Sequence, residues 1–417
     1  MKKLLLCVFL AFLMMLELNA RPQYSILQTY GTKCSNCHVN NNYGGQRNSG
    51  GFMARNSISV IKPEDIGLSG LYDFLSDKNE FMDGKVIWGL DFRYQNARWG
   101  QTQKLQGTRD SNLVPVMPSL ERKGMIMQLM PYLSIQPFEW MRIDGMYNFS
   151  YDIEPNMRYK GQQPGYVNAT FDLFEDLPTI TLGYITPKIS VDYDDHTYLV
   201  RQAAGKGRST PLFPADYAEL GLELNYDRLD WLNASFGLFD SKNMSELTID
   251  NTIPVVEKSN MATVLNVSVH PSLSDGFVGF AGLSHYWNGK IGTDDGIYFA
   301  NNYFTISSIY LGFGMSDKFA LMAEYSTSKK QDIRNVDNFL VELNYQIYEP
   351  VNVFARYEIA NTEMKQTGEK FEANQYVFGS HIYLLPYIDL LPEYRIYDRG
   401  EVNGYSSQWA FQIHVFY

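Results

Sequence analysis

The sequence has 417 residues, of which 45% are hydrophobic, 15% aromatic and only 19% charged, and its formal net charge is −11. This composition excludes an intrinsically disordered chain, which combines low hydrophobicity with high net charge. The negative balance argues against nucleic acid as a partner, because phosphate backbones bind basic surfaces. So many apolar side chains at a mean hydropathy of −0.26 indicate thin, alternating apolar surfaces rather than one thick core.

The first 20 residues have the pattern of a secretory signal peptide. Two lysines precede an apolar stretch over residues 4–15, and Ala20 is a suitable last residue before cleavage. After residue 20, no apolar run reaches the roughly 20 residues that a membrane-spanning helix needs. We therefore expect an exported chain that has no helical membrane span.

Apart from Cys7 in the signal peptide, the chain has two cysteines. They stand in the sequence Cys34-Ser-Asn-Cys37-His38, which is the attachment motif of c-type haem. Two thiols separated by a short loop can form thioethers to both haem vinyl groups, and the adjacent histidine becomes the proximal iron ligand. A short-loop disulfide and a zinc half-site are the alternatives, but residues 39–195 contain no further Cys or His for zinc. The motif therefore predicts one covalent haem c, with Cys34 and Cys37 as its anchors.

The segment that carries this motif, residues 21–60, is rich in Gly and Asn and is short. Chains of about 40 residues seldom fold alone without metals or crosslinks, so the haem must find part of its enclosure elsewhere in the protein. For the distal iron ligand, Met53 is the only Met or His within 40 residues after His38. Methionine and histidine together would raise the haem potential.

From residue 84 to the end, segments of about ten residues alternate between apolar and polar side chains and are separated by turns. Residues 86–95 and 141–152 are examples of this alternation, which is typical of β-strands with two different faces. Sixteen such strands are predicted, beginning near residues 85, 123, 140, 165, 178, 216, 231, 260, 276, 297, 318, 337, 351, 372, 386 and 406.

The connections between these strands are alternately short and long, the longest being 96–122 and 189–215. Such alternation is typical of an outer-membrane barrel, which has short periplasmic turns and long external loops. A soluble sandwich or propeller also has short alternating strands, but it does not need ten-residue strands with one face polar throughout. The sequence predicts an all-β fold: a 16-stranded antiparallel transmembrane barrel over residues 84–417.

Strand parity places the haem segment at the periplasmic mouth of this barrel or within its lumen. Sixteen strands enclose a lumen wide enough for a plug. In the linker, residues 61–83, a helix start at 63–66 leads into an apolar stretch at 71–75, which predicts one short plug helix. The terminal Tyr417 is expected on the lipid face of the last strand.

The chain resembles the fused outer-membrane cytochrome–porins, whose best-known members are bacterial iron oxidases. The resemblance rests on Pro22, Tyr24, Gln28-Thr29 and Gly31 before the haem motif, and on a barrel that follows it. The sequence departs from the family pattern at Tyr30, which separates Thr29 from Gly31, and at residues 26–27, where the family has a basic residue. The resemblance implies an outer-membrane location, one haem, and oxidation of extracellular Fe(II).

Several histidines in the predicted barrel are other candidate ligands for iron. Parity places His270, His381 and His414 on the lumen side near the periplasmic ends of their strands, and the strand of His414 should adjoin the first strand. His414 is therefore the alternative distal haem ligand. In the long loop, an acidic segment with a histidine, residues 192–196, has ligands that suit Fe²⁺, but a solvated acidic loop is the interpretation that such a run of charges favours.

Three functions fit these observations. The first is electron transfer across the outer membrane, between a small extracellular reductant such as Fe(II) and a soluble periplasmic cytochrome c. The second is a diffusion porin whose haem segment serves as a plug, and the third is an outward electron conduit to an extracellular acceptor. The sequence contains no hydrolytic site, and it leaves the direction of electron flow and the oligomeric state open.

Overall fold

The chain forms a closed antiparallel β-barrel. The computed structural model describes residues 38, 47, 51, 58–77, 79–101, 122–153, 162–190, 198–205, 209–214, 216–246, 248–249, 253–254, 261–274, 277–289, 303–315, 318–398 and 405–417. Sixteen long strands within these ranges pair with their sequence neighbours, and the last strand pairs with the first. The predicted fold class is thereby confirmed.

The barrel strands, in chain order, are β1 Val86–Gln101, β2 Arg122–Phe138, β3 Met141–Tyr147, β4 Gly165–Phe171, β5 Thr179–Ile185, β6 Glu219–Tyr226, β7 Leu232–Asp240, β8 Met261–Val269, β9 Phe277–Gly289, β10 Phe304–Met315, β11 Phe319–Lys330, β12 Arg334–Tyr348, β13 Val351–Met364, β14 Lys370–Leu385, β15 Ile388–Asp398 and β16 Tyr405–Phe416. Short strands at Glu80–Phe81 and Ser272–Ser274 pair antiparallel with the starts of β1 and β9.

Smaller elements lie before and between the strands. Among the described residues these include the α-helices α1 Ser69–Asp77, α2 Ser150–Ile153 and α3 Lys242–Glu246, and 3₁₀ turns at Pro63–Ile66 and Leu199–Arg201. Two-residue strands pair Gln202–Ala203 with Thr210–Pro211 and Thr248–Ile249 with Ile253–Pro254.

Fifteen strands begin within about three residues of the predicted positions, whereas β10 begins at Phe304 instead of near residue 297. Two other expectations were wrong. The alternation over 141–152 does not make one strand, because β3 ends at Tyr147 and the next residues form α2. The alternation of short and long connections also fails at one place. A long connection is expected between β11 and β12, but these strands are joined by only Gln331, Asp332 and Ile333.

The barrel has a polar inside and an apolar outside. Along β12, Asn338, Glu342 and Asn344 are almost completely buried, while Phe339 and Leu343 on the opposite face are exposed. Burying polar groups inward and exposing apolar groups outward is the reverse of a water-soluble fold, and it is the arrangement of a barrel in contact with lipid.

In the described ranges, no helix is long and apolar enough to span a bilayer.

The predicted helix is present as α1, and it covers the end of the barrel where the connections are shortest, called here the short-turn end. Tyr72 of α1 donates a hydrogen bond to the Pro386 carbonyl (3.2 Å), and the hydroxyl of Tyr417 donates to the Leu75 carbonyl (3.0 Å). Tyr417 is therefore buried beneath α1. The expectation that it lies on the lipid face was wrong, because the strand ends one residue earlier and the last residue turns under the helix.

The closure of the barrel between β1 and β16 depends on a glycine. The backbone of Tyr417 pairs with Leu90 through two hydrogen bonds (2.7 and 2.8 Å), and Tyr132 donates to the Tyr417 carbonyl (2.8 Å). A Cβ atom on Gly89 would lie 2.1 Å from both the Tyr132 ring and the Tyr417 carbonyl oxygen.

We expect Gly89→Ala to lower the free energy of unfolding by about 1–3 kcal/mol, the usual cost of overpacking, because backbone as well as a ring must move. The measurement is the temperature at which the detergent-solubilised barrel loses its folded mobility on a denaturing gel. Gly145→Ala is the matched control, since its Cβ would meet no atom closer than 3.7 Å. Equal unfolding temperatures for the two variants would contradict the prediction.

Candidate functional site

The lumen of the barrel is narrowed by the connection between β5 and β6, residues 186–218. Its described residues are buried against the inner wall, including Ile189, Leu199 and Leu212. The sequence placed residues 189–215 in a long external loop, and this was wrong for the described residues. We call this connection the inner loop. Its apolar side chains pack against the barrel wall, and removing their surface from water stabilises that position.

Apolar contacts fix the inner loop to strands on the far side of the barrel. Tyr198 and Val200 pack with Met322 and Leu340, and a separate cluster joins Leu199 to β13 and β14. Further residues of the loop join the largest buried cluster, which includes Ile189, Ala203, Leu212, Tyr217, Phe239, Tyr286, Phe304 and Val336.

Two polar side chains hold the loop backbone. Asn338 donates its amide hydrogens towards the carbonyls of Leu199, Val200 and Gln202 at 3.0, 3.1 and 2.7 Å. The carboxylate of Glu358 accepts hydrogen bonds from the backbone N–H groups of Leu199 and Val200. These bonds satisfy backbone groups that would otherwise be buried without partners, which gives the loop one defined position in the lumen.

Beneath the loop, Arg356 connects three acidic or aromatic neighbours. Its guanidinium bonds Glu358 at 2.7 Å and Glu342 at 3.1 Å, and it lies 3.9 Å from the centre of the Tyr198 ring. All these charges are almost completely buried, so they are stable only as a paired set. Removing one partner would leave an uncompensated charge inside the lumen.

A second feature of the lumen is a cavity of about 310 Å³ at the short-turn end, near the lower limit of about 300–1,000 Å³ for ligand and cofactor sites. His38 lines this cavity, although it lies 46 residues before the wall residue Gly84 that also lines it. The other walls come from β1 to β6 and from the short connections that follow β2, β4 and β6: Ile87, Ser134, Gln136, Glu139, Trp140, Met141, Arg142, Thr170, Asp172, Thr179, Thr181, Asn225, Asp227 and Arg228.

The composition of this cavity fits a haem. His38 provides an imidazole, and the propionates would find two cations in Arg142 and Arg228, which here bond Asp144 and Asp172. Three carboxylates, Glu139, Asp172 and Asp227, line the same cavity. A hydrogen bond from Arg228 to Asp172 raises the pKa of Arg228, so this guanidinium is always charged. Cys34 and Cys37, the cysteines of the predicted attachment motif, lie outside the described residues, and so do Met53 and residues 192–196.

The cavity also adjoins the place where the haem segment meets the closure of the barrel. His38 forms an isolated antiparallel bridge with Arg47, whose guanidinium lies 4.7 Å from the centre of the Phe416 ring on β16. Asn79 donates a hydrogen bond to the Arg47 carbonyl (3.4 Å). The haem segment is thus tied to β16 and to the residues that precede β1.

His414 faces the lumen, as parity predicted, and it bonds an acid from the first strand. Its Nε2 lies 3.0 Å from Oδ1 of Asp91, and both side chains are mostly buried. Arg93 lies beside the same carboxylate, with 3.8 Å between Nε and Oδ1. The adjacency of the strand of His414 to the first strand is confirmed by direct pairing of His414 with Arg93.

The remaining lumen histidines are separate from each other. His381 on β14 bonds Asp389 at 2.6 Å, whereas His270 follows β8 and bonds Ser268 at 2.9 Å. Among the described residues, no three His, Cys, Asp or Glu side chains come together as a metal-binding group.

Sequence reasoning missed Asp91 and Arg47, which accompany His414, and it missed Asn338 and Glu358, which hold the inner loop. Asp91 could have been found, because its parity on β1 directs it into the lumen beside the strand of His414. The loop contacts had no sequence signal, since Leu199 and Glu358 are 159 residues apart.

We expect Asn338→Ala to release the inner loop and to increase single-channel conductance in planar bilayers, since three hydrogen bonds to the loop are lost. The same change should cost about 1–3 kcal/mol of stability, because carbonyl groups are left unsatisfied. Asn344→Ala is the matched control: Asn344 is an equally buried asparagine on β12 that bonds Glu342 and not the loop. A conductance unchanged by Asn338→Ala would show that the loop does not narrow the channel.

No family model matches the sequence, and no curated protein matches it. Among solved structures, a loop-deleted form of OmpT, an outer-membrane protein of Vibrio cholerae, superposes with a TM-score of 0.50 at 10% identity, covering 80% of this chain and 99% of that chain. OprB of Pseudomonas putida superposes with a TM-score of 0.50 at 10% identity, covering 83% and 97%. The chain therefore has the fold of a 16-stranded porin-type barrel.

Proposed function

We propose that this protein is an outer-membrane porin–cytochrome that transfers electrons across the membrane through one covalent haem c. The observation that carries the proposal is the position of His38, the histidine of the haem motif, in the wall of a lumen cavity. A haem attached beside it would obtain from the barrel the enclosure that its own short segment cannot provide.

The proposal gives each residue of the site a role. Cys34 and Cys37 would attach the porphyrin, and His38 would coordinate its iron. Arg142 and Arg228 would offer positive charge to the propionates. When bound, the haem supplies one-electron redox chemistry whose potential depends on the axial ligands and the surrounding charge.

The apolar outer face and the polar lumen support a location in the outer membrane, in contact with lipid. The short-turn end carries α1 and the haem segment, and we assign it to the periplasm because short turns lie there in outer-membrane barrels. A soluble periplasmic cytochrome c would exchange electrons at this end. A small solute would exchange them through the lumen, which the inner loop narrows.

Two forms of this function differ in the direction of electron flow. Oxidation of extracellular Fe(II), which the family resemblance implies, needs a high potential and fits Met53 as the distal ligand. Outward transfer to an extracellular acceptor needs a low potential and fits His414. A diffusion porin whose haem segment serves as a plug is the competing function, and the fold alone is compatible with it.

Covalent haem is the cofactor on which the electron-transfer function depends, so its presence is tested first. We expect the full chain, matured in a periplasm with haem-attachment machinery, to carry one haem per chain that survives denaturing electrophoresis. The double variant Cys34→Ala/Cys37→Ala should carry none and should keep the folded-barrel mobility. Cys7→Ala is the control, since Cys7 belongs to the signal sequence and should leave haem content unchanged.

A wild-type protein that folds as a barrel but carries no covalent haem would contradict the proposal. In that case the diffusion porin becomes the better account, and conductance should be the same for the wild type and the double variant.

A further inference from the structure

We infer that the exposed face of α1, together with the linker residues on either side of it, is the docking surface for a small basic protein. In the proposed function this partner is the soluble electron carrier, so the partner's role rests on that proposal. The surface itself consists of described residues. It combines exposed apolar side chains, an acidic surround, and firm attachment to the barrel and to the haem segment.

The helix α1 carries apolar side chains on two faces, and the barrel covers one of them. Tyr72 is buried in a cluster at the end of the barrel, with Leu68 and Leu75 packed against that cluster. Leu71 and Phe74 lie one turn apart on the helix, and they are 51% and 76% exposed. Packing against the barrel therefore accounts for one face of α1 and leaves the other open.

The apolar surface continues on both sides of the helix. Ile66 in the preceding 3₁₀ turn is 49% exposed, and Phe81 and Met82 before β1 are 56% and 71% exposed. Since α1 lies across the end of the barrel and not on its outer wall, lipid contact of the strands does not account for these side chains. Exposed apolar surface with a polar surround is typical of an interaction site.

The charges around this surface are mostly negative. The linker, residues 61–83, contains six acidic residues and two lysines, and Glu64, Asp65 and Asp73 are exposed close in sequence to Ile66 and Phe74. Complementary charge steers association and rejects partners of like charge. An apolar centre with an acidic rim therefore fits a protein whose own apolar centre has a basic rim, such as a lysine-rich soluble cytochrome c.

A membrane surface fits the same residues less well. Helices that lie on membranes carry Lys and Arg on their polar face, because membrane surfaces are commonly anionic. The polar side of α1 carries Asp73 and no basic residue between Ser69 and Asp77. The charge of this surface therefore favours a basic protein as its occupant.

The linker holds this surface in a fixed position. At its start, the N–H group of Val60 donates a hydrogen bond to the Tyr383 carbonyl at the end of β14 (2.8 Å). At its end, the carbonyl of Asn79 accepts a hydrogen bond from the N–H group of Trp88 on β1 (3.0 Å). A surface that is already ordered loses little conformational entropy when a partner binds.

The same linker contacts the haem segment. The side chain of Asn79, five residues after Phe74, donates a hydrogen bond to the Arg47 carbonyl (3.4 Å). Arg47 is bridged in turn to His38. A partner bound at α1 would therefore stand beside the segment on which the proposed electron transfer depends.

The test measures binding of a lysine-rich soluble cytochrome c to the haem-loaded full chain in nanodiscs, by calorimetry at low and high salt. We expect Phe74→Ser to weaken binding about tenfold or more, because a few central apolar side chains carry most of the affinity of an interface. The double variant Asp65→Asn/Asp73→Asn should weaken binding at low salt and have little effect at high salt, where these charges are screened. Acetylating the lysines of the cytochrome, which removes their charge, should have the same effect as the double variant.

Phe174→Ser is the matched control. Phe174 is also highly exposed, at 63%, but it lies in the connection between β4 and β5 and not in the linker, so its loss should leave the affinity unchanged. Because the side chain of Phe74 is mostly in solvent, Phe74→Ser should keep the folded-barrel mobility. Equal affinities for the wild type and Phe74→Ser would overturn the docking site.

Two further measurements exclude other occupants. A fluorophore sensitive to its surroundings, attached at Ser69→Cys on α1, should report water in nanodiscs of phosphatidylethanolamine and phosphatidylglycerol and should respond when the cytochrome is added. An apolar emission before that addition would show that lipid covers the face, and this would overturn the inference. Self-association of the full chain that Phe74→Ser abolishes would assign the face to a second copy and would overturn it as well.

The outcomes separate this inference from the proposed function. The Cys34→Ala/Cys37→Ala barrel should bind the cytochrome as the wild type does, because the surface belongs to the linker. Covalent haem in a wild type whose binding is unaffected by the linker variants overturns the docking site and leaves the electron-transfer function standing. Binding that depends on Phe74 in a wild type without covalent haem supports the docking surface and contradicts the proposed function.

Discussion

The structure depends on the hydrogen-bonded closure between the first and last strands. Inside a bilayer there is no water to satisfy backbone N–H and C=O groups, so a sheet can span it only as a closed barrel. Here β1 and β16 pair from Asp91 with Phe416 to Gln101 with Ser406, and Tyr417 extends the pairing by its bonds to Leu90. Without this closure, the sixteen-stranded sheet would be open, and its two edge strands would expose unpaired backbone groups to lipid.

The same closure brings distant parts of the chain together. It places Asp91 against His414 across 323 residues of sequence, and it forms the surface to which Arg47 and Ile58 of the haem segment attach. The barrel end that carries these contacts is also covered by α1, which bonds Pro386 and Tyr417. His38, Arg47 and Ile58 thus lie against residues from both the start and the end of the barrel sequence.

The strands could be predicted from the sequence, and the contents of the lumen could not. A strand in a barrel imposes a period of two on every residue, because one side faces lipid and the other faces the lumen, so β2, β7 and β16 were located within a residue. The inner loop carries no such periodic signal. Its position depends on Asn338 and Glu358 of distant strands, which bond its backbone. Bonds to the backbone place little demand on the side chains of the loop, so the loop sequence does not reveal them. The burial of Tyr417 likewise depends on α1, a helix that precedes the barrel.

The candidate site was predicted in part. Parity correctly directed His414 into the lumen and set its strand beside the first, but the hydrogen bond to Asp91 required the register of the two strands, which periodicity does not fix. Haem attachment at Cys34 and Cys37 remains a prediction from their spacing. The structure contributes the cavity beside His38, which gives that prediction a place in the barrel.

The most direct test of the account is electron transfer across a membrane that contains only this protein. Oxidised soluble cytochrome c would be trapped inside liposomes carrying the haem-loaded barrel, and its reduction would be followed after a small reductant such as Fe(II) is added outside. The account predicts a rate well above that of liposomes carrying the Cys34→Ala/Cys37→Ala barrel, in which only leakage through the lumen can contribute. Equal rates for the two barrels would contradict it and would indicate a channel for solutes.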